Sequence, residues 1–285
     1  MKRFLLKILL YTLMTLLIVV LVETFNFYTQ QHKMSGLGSE IFQALANSKT
    51  PKKAKKLILG DSVGNQLYPS NKEYDSIVSL ACSQAVTLAG HYFMLNNYFE
   101  TNAEDLPEEV IIIMTPFSLC NNVDQYAYHH FLKPFPHYEY SELYTEYLSQ
   151  RIHTIPLYWS ANLPIIRTSS YTPQWAVPTE PGFTKSMSPL SHEYLLKIDS
   201  IAQSHNIPLR MVSPPIRDDK KGEIKGFWAN LSPDYASDLK SLLQPYKESI
   251  TFHPSVDYTD RVHFIREKIP ADYLGILGTT GATRP

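Results

Sequence analysis

The chain has 285 residues, 44% of them hydrophobic, which is enough apolar side chain to bury a sizeable core and excludes a chain disordered by composition. With 26 basic residues against 27 acidic ones the formal net charge is −1, so no global basic field argues for a nucleic-acid partner. The 19 Tyr, 13 Phe and 3 Trp suit a sugar-binding cleft and an ordinary core equally well.

The N-terminus carries the first strong signal. Met1-Lys2-Arg3 is basic, and from Phe4 to Val22 the chain is almost wholly Leu, Ile, Val, Met and Thr, broken by Lys7 and Tyr11. A run of that length spans a hydrocarbon core of about 30 Å as a helix. The basic flank predicts a cytoplasmic N-terminus and an outward-facing remainder. A cleaved signal peptide is the competitor, but no small-x-small site follows, and Phe25, Phe27 and Tyr28 suit a membrane interface. Residues 1–28 therefore read as an uncleaved signal anchor. Residues 29–55 are polar, with a short amphipathic piece at Glu40–Ala46, and read as a stalk; Lys52, Lys53, Lys55 and Lys56 read as a solvated run.

From Leu57 onward strands and helices alternate. A first short strand runs from Lys56 to Leu59, a second from Ser76 to Ala81, and Val86–Glu100 has helical apolar spacing. Val110–Thr115 is an unbroken apolar, β-branched run of the kind a strand buried on both faces requires. Ser191–His205 reads as a helix and Ile207–Ser213 as a fourth strand; a helix opens at Ser232-Pro233 and continues to about Leu243, and Ile250–Phe252 is a short last strand. This succession predicts an α/β domain, a flavodoxin-like parallel sheet with helices on both faces, over residues 56–285. Residues 125–189, rich in Pro, Tyr, His and Trp with little periodicity, read as an irregular insertion, a lid or substrate platform. His129, His130 and His137 within it match no common zinc spacing, so neither a metal nor a cofactor is expected. Cys82 and Cys120 each follow a strand; they read as a disulfide or as two buried thiols.

In an open parallel sheet, ligands lie beyond the carboxyl ends of the strands. There the chain reads Gly60-Asp61-Ser62-Val63-Gly64, which fits the G-x-S-x-G nucleophile elbow and also a plain strand-to-helix turn. About 200 residues later, Asp260-Arg261-Val262-His263 puts an acid and a histidine three positions apart, so both can face one way. The carboxylate would then orient the imidazole, and the imidazole would serve Ser62 as base.

A GDS block after the first strand of the domain, paired with a C-terminal D-x-x-H block, resembles the SGNH (GDSL-type) hydrolase family over residues 57 to about 265. The resemblance implies Ser62 as nucleophile, His263 as general base and Asp260 as its orienting acid, with Asp61 bracing the turn. It also implies an oxyanion hole from the Ser62 backbone N–H and an amide of Asn121 or Asn122. The chain departs from the family's pattern after the second strand, where Ala81-Cys82-Ser83-Gln84-Ala85 holds no glycine, and after the third, where Pro116–Asn122 replaces Gly-x-Asn-Asp. With the anchor, the likeness points to proteins that modify cell-surface polysaccharides by O-acetylation beside a membrane-bound O-acyltransferase. They sit on a bacterial inner membrane with the enzymatic domain in the periplasm, and act on a cell-surface glycan and an acyl donor. A general lipase or esterase, and a catalytically degenerate scaffold or glycan-binding domain, remain open.

Overall fold

The computed structural model describes residues 1–30, 39–123, 131–155, 158–162 and 184–269. The chain begins with helix α1 (Lys2–Gln30), whose Lys2–Leu21 segment is long and apolar enough to cross a membrane and touches no part of the core. The domain follows in the order α2 (Ser39–Ser48), β1 (Lys56–Gly60), α3 (Ser62–Leu67), β2 (Ile77–Ser79), α4 (Thr87–Thr101) and β3 (Glu109–Ile113). After β3 come the short α5 (His137–Tyr140) and α6 (Glu146–His153), then α7 (Pro189–Ser204), β4 (Leu209–Val212) and β5 (Ile216–Arg217). The helices α8 (Lys221–Ala229), α9 (Pro233–Asp238) and α10 (Lys240–Glu248) lead to β6 (Phe252–His253).

Four strands form a wholly parallel sheet in the order β2-β1-β3-β4, the α/β architecture that the alternating pattern predicts. Because side chains alternate along a strand, Leu57, Leu59, Val110 and Ile112 enter the larger apolar cluster, with α2, α4, α7 and α10. Ile58, Ile111, Ile113 and Val212 enter the smaller one on the opposite face, under Leu67 and Tyr68. Residues buried on both faces explain why β1 and β3 lack polar alternation. The strand order reverses between β1 and β3, so the crevice where such sheets take ligands opens at the carboxyl ends of these two strands.

Four sequence readings change. Residues 39–48 belong to the domain and not to a stalk: Ile41, Ala44 and Leu45 are buried against α4, and Asn47 Nδ2 donates to the carbonyls of Ser70 and Ser79. The helix expected from Ser232 to Leu243 breaks at Leu239 (φ −109°, ψ 22°), a change of phase that lets Leu239, Leu242, Leu243 and Tyr246 all reach the core. Ser232 occupies the cap position, but its side chain makes no capping bond. The last strand pairs not with the main sheet but with β5, through Ile216↔Phe252 and Arg217↔His253.

The described parts of the 125–189 insertion send several aromatic side chains into the core. Phe93 of α4 stacks on Tyr140 and Tyr144 at 5.2 and 5.7 Å, and meets Phe131, Phe135 and Tyr194 at 5.5 to 5.9 Å. A Cβ on Gly90 would come within 2.8 Å of the Phe135 ring, so the glycine admits that ring against α4. His129 and His130 lie outside the described residues, while His137 packs on the rings of Tyr144, His153 and Tyr158.

Candidate active site

The turn after β1 owes its position to close packing against β3. A Cβ at Gly60 or at Gly64 would meet the Ile113 carbonyl oxygen at 2.3 or 2.5 Å, so both glycines are required by backbone approach. Between them Asp61, 2% exposed, caps α3: its Oδ1 accepts from the Val63 and Gly64 N–H groups at 2.9 and 3.1 Å. Its Oδ2 accepts from Thr115 N (2.8 Å), Thr115 Oγ1 (3.2 Å) and Ser118 Oγ (2.6 Å). The brace expected of Asp61 thus ties the turn after β1 to the loop after β3. Ser62, the first residue of α3, lies at the carboxyl end of β1 and is partly exposed.

The C-terminal motif meets it there. His263 Nε2 lies 2.8 Å from Ser62 Oγ, and His263 Nδ1 lies 2.8 Å from Asp260 Oδ2. Asp260 Oδ1 accepts from the Val262 and His263 backbone N–H groups, both at 2.8 Å, an Asx turn that curls the motif back so acid and base face the same way. Burial alone would raise the Asp260 carboxyl; the N–H groups of His263 and Val262 and the imidazole outweigh it and hold the acid below the ordinary carboxylate value. The pair stays accessible, with 34% of the His263 side chain and 53% of the Asp260 side chain exposed.

Two further residues hold this loop, and no sequence motif marks either. Gln66, one turn after Ser62 on α3, donates from Nε2 to the Phe264 carbonyl at 2.7 Å, and its Oε1 accepts from Phe264 N–H at 3.1 Å. This reciprocal pair fastens the residue after His263 to the helix that carries Ser62. Arg217 Nη1 donates to the Asp260 carbonyl at 2.6 Å while its other nitrogens hold Asp219. The loop itself closes through the Tyr258↔Phe264 bridge, the two rings stacked at 4.3 Å.

The candidate oxyanion amides are not brought to Ser62 by any hydrogen bond among the described residues. Asn121 Nδ2 donates to the Gln84 carbonyl at 3.1 Å, and Asn122 Oδ1 accepts from Tyr147 OH at 3.3 Å. Both asparagines are buried. Gln84 takes the place of the missing glycine block as a link: besides Asn121, it accepts at Oε1 from Ser118 Oγ, itself bound to Asp61. Cys82 and Cys120 are free, buried thiols, so the disulfide alternative falls away. Burial raises both; Cys120 reaches about 12, against a small lowering by Arg261. No group of three metal-ligating side chains occurs among the described residues. A second His–carboxylate pair, His192–Asp238 at 3.0 Å, differs from the first in having its ring flat on Tyr235, 3.9 Å between centroids.

No family model and no curated protein matches the chain. A solved structure from Streptococcus pneumonia, provisionally described as a platelet activating factor, is similar at a TM-score of 0.35 and 12% identity, over 91% of this chain and 95% of that one. So distant a likeness leaves the chemistry to the geometry of Ser62, His263 and Asp260.

Proposed function

We propose that the chain is a membrane-anchored, SGNH-type serine enzyme that cleaves or transfers ester-linked acyl groups. We further propose that it acts on a cell-surface polysaccharide outside the cytoplasm, as O-acetyltransferase or acetylesterase, beside a membrane-bound O-acyltransferase. The observation that carries the chemistry is the Ser62–His263–Asp260 relay, both links 2.8 Å. With Nδ1–H held by Asp260, Nε2 accepts the Ser62 proton as Oγ bonds to the ester carbonyl carbon. The resulting imidazolium gives that proton to the departing alcohol oxygen, leaving an acyl-serine. Water or a sugar hydroxyl then attacks under the same base and frees Ser62. Asp260 remains ionised throughout, as its lowered pKa favours. The Ser62 N–H at the start of α3 serves as one donor to the developing oxyanion.

A second reading, a degenerate scaffold, draws support from the engagement of the Asn121 amide with the Gln84 carbonyl. Labelling with a fluorophosphonate probe separates the two. The enzyme reading expects wild-type protein to label and Ser62→Ala to abolish both labelling and ester turnover. His263→Ala should cost nearly as much, because triad members act as a unit. Asp260→Asn should be milder. Wild-type protein that never labels, in cells whose glycan acylation survives Ser62→Ala, would leave the scaffold reading standing.

A further inference from the structure

The direction of α2 fixes where the membrane anchor joins the domain. Near its C-terminal end, Asn47 donates to Ser79, which is level with Ile58 midway along β1, and Ser48 Oγ accepts from Asn97, three turns along α4. The chain then descends to the amino ends of the strands: Lys52 N–H donates to Asn102 just past α4, and Lys55 N–H to Ser76 just before β2. So α2 runs alongside α4 in the same direction, from the carboxyl edge of the sheet toward the amino edge. At its other end, Glu40 lies within electrostatic reach of the Cys82 thiol, which burial raises first and Glu40 and Asp61 raise further. The chain from α1 therefore enters the domain at the same sheet edge that carries Ser62.

The connection is short. Past the apolar Lys2–Leu21 segment, α1 runs nine residues further to Gln30, roughly 13 Å, and residues 31–38 add at most roughly 30 Å when fully extended. A compact domain of this chain's size is about 45 Å across. Stretched to its limit the tether is only about as long as the domain is wide, and it is attached at the site's own edge. The amino edge of the sheet can meet the bilayer only if the whole domain turns over.

We infer that the carboxyl edge of the sheet, with Ser62 and His263, faces the bilayer that holds α1, and that the ester it attacks is presented at that surface. The second half rests on the acyl-ester reading; the first half does not. Val256, 79% exposed in the turn before the His263 loop, reports on the site edge, and exposed Ala103, between α4 and β3, reports on the opposite edge. Because Cys82 and Cys120 are buried, Val256→Cys and Ala103→Cys can each be labelled selectively in the full chain. In vesicles carrying headgroup energy-transfer acceptors, the probe at 256 should transfer more strongly than the probe at 103. Equal or reversed transfer would overturn the orientation.

Lengthening the tether fivefold with a Gly/Ser insert should lower turnover of a long-chain nitrophenyl ester embedded in the same vesicles by about tenfold, following the −3/2 power of tether length. Turnover of soluble nitrophenyl acetate should not change. Equal rates on the embedded ester would refute presentation at the surface. A wild-type protein that turns over neither ester would refute the acyl-ester reading, while the energy-transfer comparison would still decide the orientation.

Discussion

Asp61 accepts five hydrogen bonds on one buried carboxylate, and three of them come from residues more than fifty positions away. Removing it strands the Thr115 and Ser118 donors in the interior, so Asp61→Ala should lose on the order of 3 kcal/mol or more, read as a lowered urea midpoint. Ser62→Ala, which removes one hydroxyl at the crevice, should leave that midpoint nearly unchanged. His91 supplies a pH test. Its ring is fully buried on α4, and burial lowers its pKa to about 3. The unfolded chain takes up that proton near pH 6.5, whereas the folded chain refuses it until about pH 3. The stability tied to His91 is therefore complete above about 6.5 and falls on acidification by up to about 1.4 kcal/mol per pH unit. Denaturation curves from pH 7 to 4 should show wild type losing more stability than His91→Leu; parallel losses would mean the ring is protonated in the fold.

At the scale of elements, what joins the two halves of the site is a helix gripping a loop. Gln66→Ala should remove the clamp on Phe264, lower kcat by about tenfold while leaving KM nearly unchanged, and slow fluorophosphonate labelling, since a small misplacement of the base is felt in the chemical step. Gln66→Glu, which keeps the acceptor and loses the donor, should fall between the two. Nothing in the sequence marks Gln66, because its partner is backbone 198 residues away. That Ser62, Asp260 and His263 would meet was legible because the two short motifs carry particular side chains at recognisable spacings. The strands β1 and β3 were legible because burial on both faces leaves unbroken apolar runs. Helix α2 was misread: ten residues between polar flanks read as a linker, and it is the face of α4 that gives Ile41 and Ala44 somewhere to go. Ile41→Asp should therefore destabilise the whole domain by several kcal/mol, against almost nothing for a true stalk residue. The break at Leu239 and the β5–β6 pairing were likewise set by tertiary contacts. The register of the oxyanion amides was not legible, because an asparagine's amide direction depends on loop conformation.

At the scale of the whole molecule, three of the sheet's four strands come from one short stretch of chain, with β4 joining β3 from about 100 residues later, while the site spans almost the whole domain. β1, β2 and β3 pair within Lys56–Ile113, yet Ser62 meets His263 across 201 residues. The glycine turn and its Asp61 brace can form once Ser118 has docked. His263 arrives only with the final described stretch of chain, held there by Gln66 and Arg217. At a synthesis rate of about 5–20 residues per second, the 145 residues from Ser118 to His263 put the Ser62 turn ahead of His263 by roughly 7–30 seconds. During that interval the emerging chain carries its serine with no proton acceptor beside it. A stalled or truncated product ending before residue 263 would thus be folded around its sheet but chemically silent. Under the proposed chemistry, the long span between serine and histidine leaves Ser62 without its base until the chain has been made past residue 263.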